Sequence, residues 1–422
     1  MKGVTRKIFS ILSVAVVTAA FSLVMGPAGA ASSGRYIVVL KDSVSNSKAV
    51  ASEHAKSHRA EVGFVYSHAL KGYSAVIPDS RLSAIRSDSR VAYVEPDGIV
   101  SIVHHDCGHT GGPPGSSPLP DCPEPTPDPD PEPDPDPEPT DCTSSSQTLP
   151  WGINRIDADL SSTFAGNCSG AVSNVNVYII DTGADAAHPD LNVVNHVNFA
   201  GGPNKDCHGH GTHVAGTIAA KDNTSDVVGV APGAPITGVK VLSCSGSGSY
   251  SGVIAGVDWV TANARKPAIA NMSLGGGKSD SVDAAVTKSA DFGVFYSIAA
   301  GNSGANACNY SPARAGLHNG VMTVGATDSN DNDPSWSNYG ACVDIWAPGA
   351  SILSTKSGGG TTTMSGTSMA APHAGGTGAL YLSSQTSASA ATAEAALKTA
   401  AEATGKTANN GTQIILINAQ PF

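Results

Sequence analysis

The chain reads as an α/β protein: a parallel sheet with helices on both faces, preceded by a small ferredoxin-like α+β unit. Three observations point there. From residue 147 onward, short apolar runs alternate with helical stretches, the pattern of parallel strands joined by crossover helices. Ahead of them, residues 35–98 carry elements in β-α-β-β-α-β order. Between the two lies a tract of prolines and acidic residues that belongs to neither.

Residues 1–30 have the form of a secretory signal. Lys2, Arg6 and Lys7 give a basic start, an apolar run extends from Ile8 to Met25, and Ala28-Gly29-Ala30 suits a cleavage site. No other stretch of the sequence is long enough to span a bilayer. An exported chain, without an anchor once the signal is removed and monomeric, is therefore expected. All eight cysteines lie outside the signal, so disulfides are permitted.

In the unit at 31–103, RYIVVLKD (35–42) alternates as a strand and 45–59 can form a helix. Two strands around a turn fit 63–78, a second helix 79–90, and a last strand 91–98. The linker at 104–146 is a different material. From Pro123 to Pro139 every second residue is proline, which excludes a helix or inner strand and favours an extended spacer of roughly 50 Å. This tract holds nine acidic residues between Cys107 and Gln147 and no Lys or Arg. It therefore carries most of the net charge of −11, and the remainder is close to neutral. No basic surface for nucleic acid is implied.

Residues 147–422 supply strands at 175–181, 236–242, 269–274, 294–301, 321–327 and 343–349. Helices fit 212–221, 250–264, 281–291 and 368–382. In such sheets ligands bind beyond the carboxyl ends of the strands, and three chemically useful side chains fall at element ends. Asp181 closes a strand in IIDTGAD, His210 opens a helix in GHGTHVAGT, and Ser368 opens another in GTSMAAPHAGG. A carboxylate, an imidazole and a hydroxyl are the parts of an activated serine. The imidazole takes the hydroxyl proton, the carboxylate holds its tautomer, and helix-entry N–H groups stabilise a developing oxyanion. Pro372 is compatible with the helix if it lies in the opening turn. The run Cys207 to His213 has thiol and imidazole groups, but not the paired spacing of a zinc site.

DTGAD, HGTHVAGT and GTSMAAPHAGG, in that order, with AAGNSG (299–304) between the last two, resemble the signature blocks of the subtilisin-like serine proteases, or subtilases. The resemblance covers 147–422. The unit at 31–103 is similar to their inhibitory propeptide through ALKGYSA (69–75) and VAYVEPD (91–97). It implies a serine endopeptidase made as a self-processing zymogen, cleaved near Val103 so that the acidic tract stays on the mature enzyme. Polypeptides would be its substrates and its own propeptide an intramolecular inhibitor.

By the same resemblance Asp181, His210 and Ser368 are the triad, and Asn302 is an oxyanion donor beside the Ser368 N–H. Gly246, Ser247 and Gly248, with Ser273, Leu274 and Gly275, are the two backbone edges that pair with an extended substrate. Ala299, Ala300 and Gly301 wall the pocket, and Tyr250 stands at the rim of the Gly246–Gly248 edge. These segments carry no charge, so apolar or aromatic substrate side chains are expected. His213 and His373 match structural histidines, and His208 a surface residue.

The resemblance also implies structural calcium, bound through Gln147, Asp190 and Asn223 and the carbonyls of Lys221, Ser225 and Val227. A second ion would sit at Asp344. Cys207–Cys244 and Cys308–Cys342 match disulfides of the proteinase K/aqualysin-like branch. Cys107, Cys122, Cys142 and Cys168 have three possible pairings, of which Cys107–Cys122 with Cys142–Cys168 is favoured by proximity. A binding module on the same fold would be expected to lack one of Asp181, His210, Ser368 or Asn302; all four are present.

Overall fold

The computed structural model describes residues 32–103 and 146–422. The signal segment and the proline-rich tract lie outside the described residues. So do Cys107, Cys122 and Cys142, and with them the favoured pairings of those cysteines with each other and with Cys168.

The first unit runs β1 (Ser33–Leu40), α1 (Ser47–His58), β2 (Glu61–Tyr66), β3 (Gly72–Pro78), α2 (Asp79–Arg86), β4 (Val91–Pro96) and β5 (Ile99–Ile102). Four strands form an antiparallel sheet in the order β2-β3-β1-β4, the ferredoxin-like arrangement. Alternation in β1 explains its continuous apolar run. Val38 and Leu40 pack with Val50 and Ile85 under the unit's own helices. Ile37 and Val39 join Tyr66 and Leu70 against the second unit. A sheet buried on both faces has no polar face to show. The helix expected over 79–90 stops at Arg86, because Arg90 turns back to pair with Asp88 (2.6 Å) and Glu53 (2.7 Å).

The second unit begins with α3 (Trp151–Arg155), β6 (Asn176–Asp181), β7 (Val193–Asn198), α4 (His210–Ala219), β8 (Ile236–Lys240) and β9 (Ser247–Ser249). It continues with α5 (Tyr250–Asn263), β10 (Ala268–Met272), β11 (Leu274–Gly276), α6 (Asp280–Asp291), β12 (Val294–Ala299) and β13 (Val321–Thr327). Last come β14 (Ile345–Pro348), β15 (Ile352–Thr355), β16 (Thr361–Met364), α7 (Thr367–Ser384), α8 (Ala390–Ala400), β17 (Glu402–Thr407) and β18 (Gln413–Leu416).

Nine strands form one sheet in the order β17-β18-β14-β13-β12-β10-β6-β8-β7. Every neighbouring pair is parallel except β17 with β18. Val177 and Ile179 of β6 face α4 and α7, where Val214, Ile218 and Met369 meet them. Tyr178 and Ile180 face α5 and α6, where Val253 and Val286 lie. The chain leaves β6 toward β8 on one side and later returns on the other with β10, so the strand order reverses at β6. Its carboxyl end is the topological switch point, where a ligand site is expected.

Candidate active site

Asp181 is the last residue of β6 and His210 the first of α4. Asp181 Oδ1 accepts from His210 Nδ1 at 2.8 Å and from the Thr182 N–H at 2.6 Å. Both side chains are fully buried, so this charge-dipole contact acts at low local dielectric. The entry to α4 is held by Asp206. Its carboxylate accepts from the N–H groups of His208 (3.0 Å), Gly209 (2.8 Å) and Thr212 (2.9 Å) and from Thr212 Oγ1 (2.6 Å). Burial alone would raise the Asp206 carboxyl, but these bonds hold it below its ordinary value. Gly211 presses on the Gly183 carbonyl so closely that a Cβ would enter the oxygen. The Cys207–Cys244 disulfide ties the same loop to the segment after β8, and Cys308–Cys342 closes a second loop.

Ser368 is the second residue of α7, after Gly366 with φ 149°. Helices α4 and α7 pack against each other, and each carries its candidate residue in its first turn, His210 first in α4 and Ser368 second in α7. The Ser368 N–H donates to the Val103 carbonyl at 3.2 Å, and the Ser368 hydroxyl reaches the same oxygen. Asn302 Oδ1 accepts from Thr367 N–H (2.9 Å) and Thr367 Oγ1 (2.8 Å). Its Nδ2 is buried without a hydrogen-bond partner among the described residues, beside the cleft that holds Val103.

Pro372 is not in the opening turn as expected. It is the sixth residue of α7, where its missing N–H would strand the Ser368 carbonyl. That carbonyl instead accepts from Ser273 Oγ at 2.8 Å.

Residues 99–102 leave the first unit and enter the cleft as the middle strand of a three-stranded antiparallel sheet, β11-β5-β9. Ile102, Ser101 and Val100 pair with Leu274, Gly275 and Gly276 on one side. Ile99, Val100 and Ser101 pair with Ser249, Gly248 and Ser247 on the other, and the Ile102 N–H reaches the Gly246 carbonyl at 2.9 Å. Ala299, Ala300, Gly301 and Asn302 line a cleft of about 370 Å³ in which Val103 sits. Tyr250 covers the strand and donates to the Gly277 carbonyl at 2.6 Å. His213 and His373 are fully buried, and burial pushes them down to about 3 and about 4, so both are neutral packing residues.

A family model described as the subtilase family matches residues 172–414. The chain belongs to the subtilase family. A second family model, peptidase inhibitor I9, matches residues 35–103. Among curated proteins, an alkaline serine exoprotease A from Vibrio alginolyticus is 41% identical over 82% of this chain and 58% of its own length. An extracellular serine proteinase from a Thermus strain is 39% identical over 76% of this chain and 69% of its own. Subtilisin DY from Bacillus licheniformis is 42% identical over 65% and 99%. The chain thus spans less than two thirds of the Vibrio relative. A crystal structure of a cold-adapted subtilisin-like serine proteinase matches with a TM-score of 0.56 at 41% identity, covering 64% of this chain and 97% of that one. By class this subtilase is a serine protease with an inhibitor-type propeptide in front of it. Among its described residues, no helix is long and apolar enough to cross a membrane.

The residues that the resemblance implies for calcium lie together. Gln147 Nε2 donates to the carbonyls of Lys221 (2.9 Å), Val227 (3.2 Å) and Ser225 (3.5 Å) and to Asn223 Oδ1 (3.4 Å). Asn223 Nδ2 in turn donates to Asp190 (2.6 Å). Burial raises the Asp190 carboxyl to about 6. A buried acid amid carbonyl oxygens fits a hard divalent cation. The second expected site is corrected. Asp344 is taken by the Lys398 ammonium at 2.6 Å and by the Thr323 N–H at 2.8 Å, and Glu394 holds the same lysine at 2.5 Å. Both carboxylate oxygens of Asp344 already have donors, Oδ1 the Lys398 ammonium and Oδ2 the Thr323 N–H.

Three carboxylates of the docking face were missed by the sequence reading. Glu95 Oε1 accepts from Ser279 Oγ at 2.6 Å, and Asp97 accepts from the Ser251 N–H (2.9 Å) and hydroxyl (2.7 Å). They sit at the first turns of α6 and α5, where anions are favoured. In the other direction, Asp258 of α5 accepts from the N–H groups of Ser67, His68 and Ala69. The signal was legible: Asp258 is the only charge in YSGVIAGVDWV (250–260).

Proposed function

We propose that this subtilase is a secreted serine endopeptidase that acts first on its own chain, after Val103. The observation that carries the reading is the Val103 carbonyl, seated against both the N–H and the hydroxyl of Ser368 at the end of a strand paired on both edges. Ser368 Oγ attacks that carbonyl carbon while His210 takes the hydroxyl proton. Asp181 fixes the imidazole tautomer and stabilises the imidazolium. The oxyanion is received by the Ser368 N–H and by Asn302 Nδ2. His210 then gives its proton to the leaving amine, and water hydrolyses the Ser368 ester by the reverse route.

The propeptide, residues 31–103, is the intramolecular inhibitor. Cleavage leaves β5 in place until the propeptide departs, after which other extended polypeptides pair with the same edges. The cleft beyond Val103 is uncharged and roomier than a valine needs, which supports apolar and aromatic side chains at that position. Gln147, Asp190, Asn223 and the carbonyls of Lys221, Ser225 and Val227 would hold one structural calcium ion, which supplies charge for the buried Asp190 carboxylate. Export fits the signal-like residues 1–30 and a relative named as extracellular. One copy carries every residue named, so a monomer suffices.

The test compares wild type with Ser368→Ala. Wild type is expected to hydrolyse casein and to yield an N-terminus at residue 104. Ser368→Ala should remain full length and inactive. Equal casein hydrolysis by both sinks the assignment, and an N-terminus near Ser144 refutes retention of the acidic tract.

A further inference from the structure

Among the described residues, Lys240 is the only buried Lys or Arg. It ends β8 and stands in register beside Asp181. Its Nζ donates to the carbonyls of Thr182 (2.9 Å) and Leu242 (2.8 Å) and lies 3.7 Å from Cys207 Sγ. Thr182 is held at three points. Its N–H donates to Asp181 Oδ1 (2.6 Å), its Oγ1 accepts from the Gly211 N–H (2.9 Å), and its carbonyl takes the Lys240 ammonium. Lys240 therefore bears on the residue that links the Asp181 carboxylate to the first turn of the His210 helix.

We propose that Lys240 is a positioning residue and the fixed cation of the active site: it pins Thr182 under Asp181 and opposes protonation of His210. The inference rests on the reading of Asp181, His210 and Ser368 as the triad.

The charge count supports it. Two carboxylates, Asp181 and Asp206, are buried beside His210. A buried anion needs a compensating charge or a proton. Lys240 supplies that charge through Thr182, and Asp181 in turn contacts the His210 ring at 2.8 Å; an imidazolium there would be no base. Burial lowers the Lys240 ammonium from its ordinary value, while Asp206 and Asp181 pull it the other way. The other groups around this point are His208, at 6.3 Å between ring centroids from His210, the neutral His213 and His373 on α4 and α7, and His196 of β7, whose Nε2 accepts from the Ala184 N–H at 3.3 Å. The Cys207 sulfur is in a disulfide and carries no charge.

The experiment is the pH profile of kcat/KM for a soluble peptide substrate, with two variants. Lys240→Met removes both the charge and the donors. Lys240→Gln removes the charge but offers two amide hydrogens to the same carbonyls. A unit charge held beneath Thr182, in the same buried surroundings as Asp181 and the imidazole, is worth about tenfold in proton affinity, about one pH unit. Both variants should therefore move the acid limb up by about one unit, with Lys240→Gln retaining more of the plateau kcat than Lys240→Met. The same variants are made with Ser368→Ala, where folding does not depend on self-processing, and the His210 titration is followed by NMR. An acid limb within about 0.2 units of wild type in active, folded variants overturns the proposal and leaves the triad standing. Failure of both variants to fold in either background makes Lys240 structural only and overturns it too. Undiminished activity of Ser368→Ala alone would instead strike the triad reading.

Discussion

Removing the Asp258 side chain should release the propeptide without touching the chemistry. The Asp258 carboxylate accepts from the N–H groups of His68 (2.7 Å), Ala69 (2.8 Å) and Ser67 (3.1 Å). Its side chain is 12% exposed under the docked propeptide. A hydrogen bond to a charged acceptor contributes about 1.5–3 kcal/mol, but the three share one carboxylate. In Asp258→Ala water partly re-solvates the amides of this turn at the edge of the interface. The set is therefore worth about 2–3 kcal/mol rather than the sum, or about 30- to 150-fold in inhibition constant. Asp258 lies two turns into α5, away from Ser368, so kcat/KM of the released enzyme should stay within about twofold of wild type. The assay follows activity after the full-length precursor processes itself, then titrates the enzyme with the propeptide that processing releases. A shorter lag and a weaker inhibition constant are expected. An inhibition constant within threefold of wild type would refute the reasoning, because a three-amide cap would then contribute nothing to docking.

Calcium should protect in a pH-dependent way. In the calcium-free chain the Asp190 carboxyl, raised to about 6, stabilises the fold only while protonated. That contribution is full below its unfolded value of about 3.9 and is lost as pH rises through about 6. The ion takes over where the proton leaves, so the gain in Tm from calcium over chelator should grow between about pH 5 and 7; a pH-independent gain would place the ion elsewhere. Gly211→Ala should drive a Cβ into the Gly183 carbonyl and displace His210. A stability loss of about 1–3 kcal/mol and a fall in kcat well beyond any change in KM are expected, whereas wild-type kcat would show that the loop yields freely.

Much of the fold was legible because the strands of this sheet are buried on both faces. Runs such as 175–181 and 294–301 are continuous and apolar, and each ends where a chemically useful residue begins. What was not legible lay at the edges. Strand β7, VVNHVN, is half exposed, and β17, EATGKT, is largely exposed and polar, so neither carries the apolar run that marks an inner strand. The short strands β5, β9 and β11 depend on partners far away in sequence. SGS and LGG have no strand propensity of their own and become strands because residues 99–102 lie between them. In the site, Asp181, His210 and Ser368 stand out by residue type and by position at element ends. Glu95 and Asp97 act by receiving backbone N–H groups at helix entries, which no spacing announces when the helix belongs to another unit. The second calcium failed for a related reason: the ammonium on Asp344 comes from Lys398, fifty-four residues away.

The helix that presents Ser368 carries a fault and its repair, and the two can be measured separately. Pro372 has no N–H to give the Ser368 carbonyl, and Ser273 Oγ fills that place at 2.8 Å while itself accepting from Asn271 Nδ2 at 2.8 Å. The repair comes from the residue whose own carbonyl faces the Ser368 hydroxyl at 3.1 Å, so one side chain links the substrate edge to the nucleophile's turn. Ser273→Ala should leave a buried carbonyl without a donor, at about 1–3 kcal/mol of stability and with a loss of kcat. Pro372→Ala restores the backbone N–H, and in wild type it only competes with Ser273 for an oxygen already served. In the Ser273→Ala background the same substitution supplies the missing donor. Any packing lost with the proline ring is common to both backgrounds and cancels in the cycle. The double variant should therefore recover about 0.5–1 kcal/mol relative to the sum of the singles, with kcat moving in the same direction. Strict additivity in urea unfolding would mean that the Ser368 carbonyl never relied on Ser273.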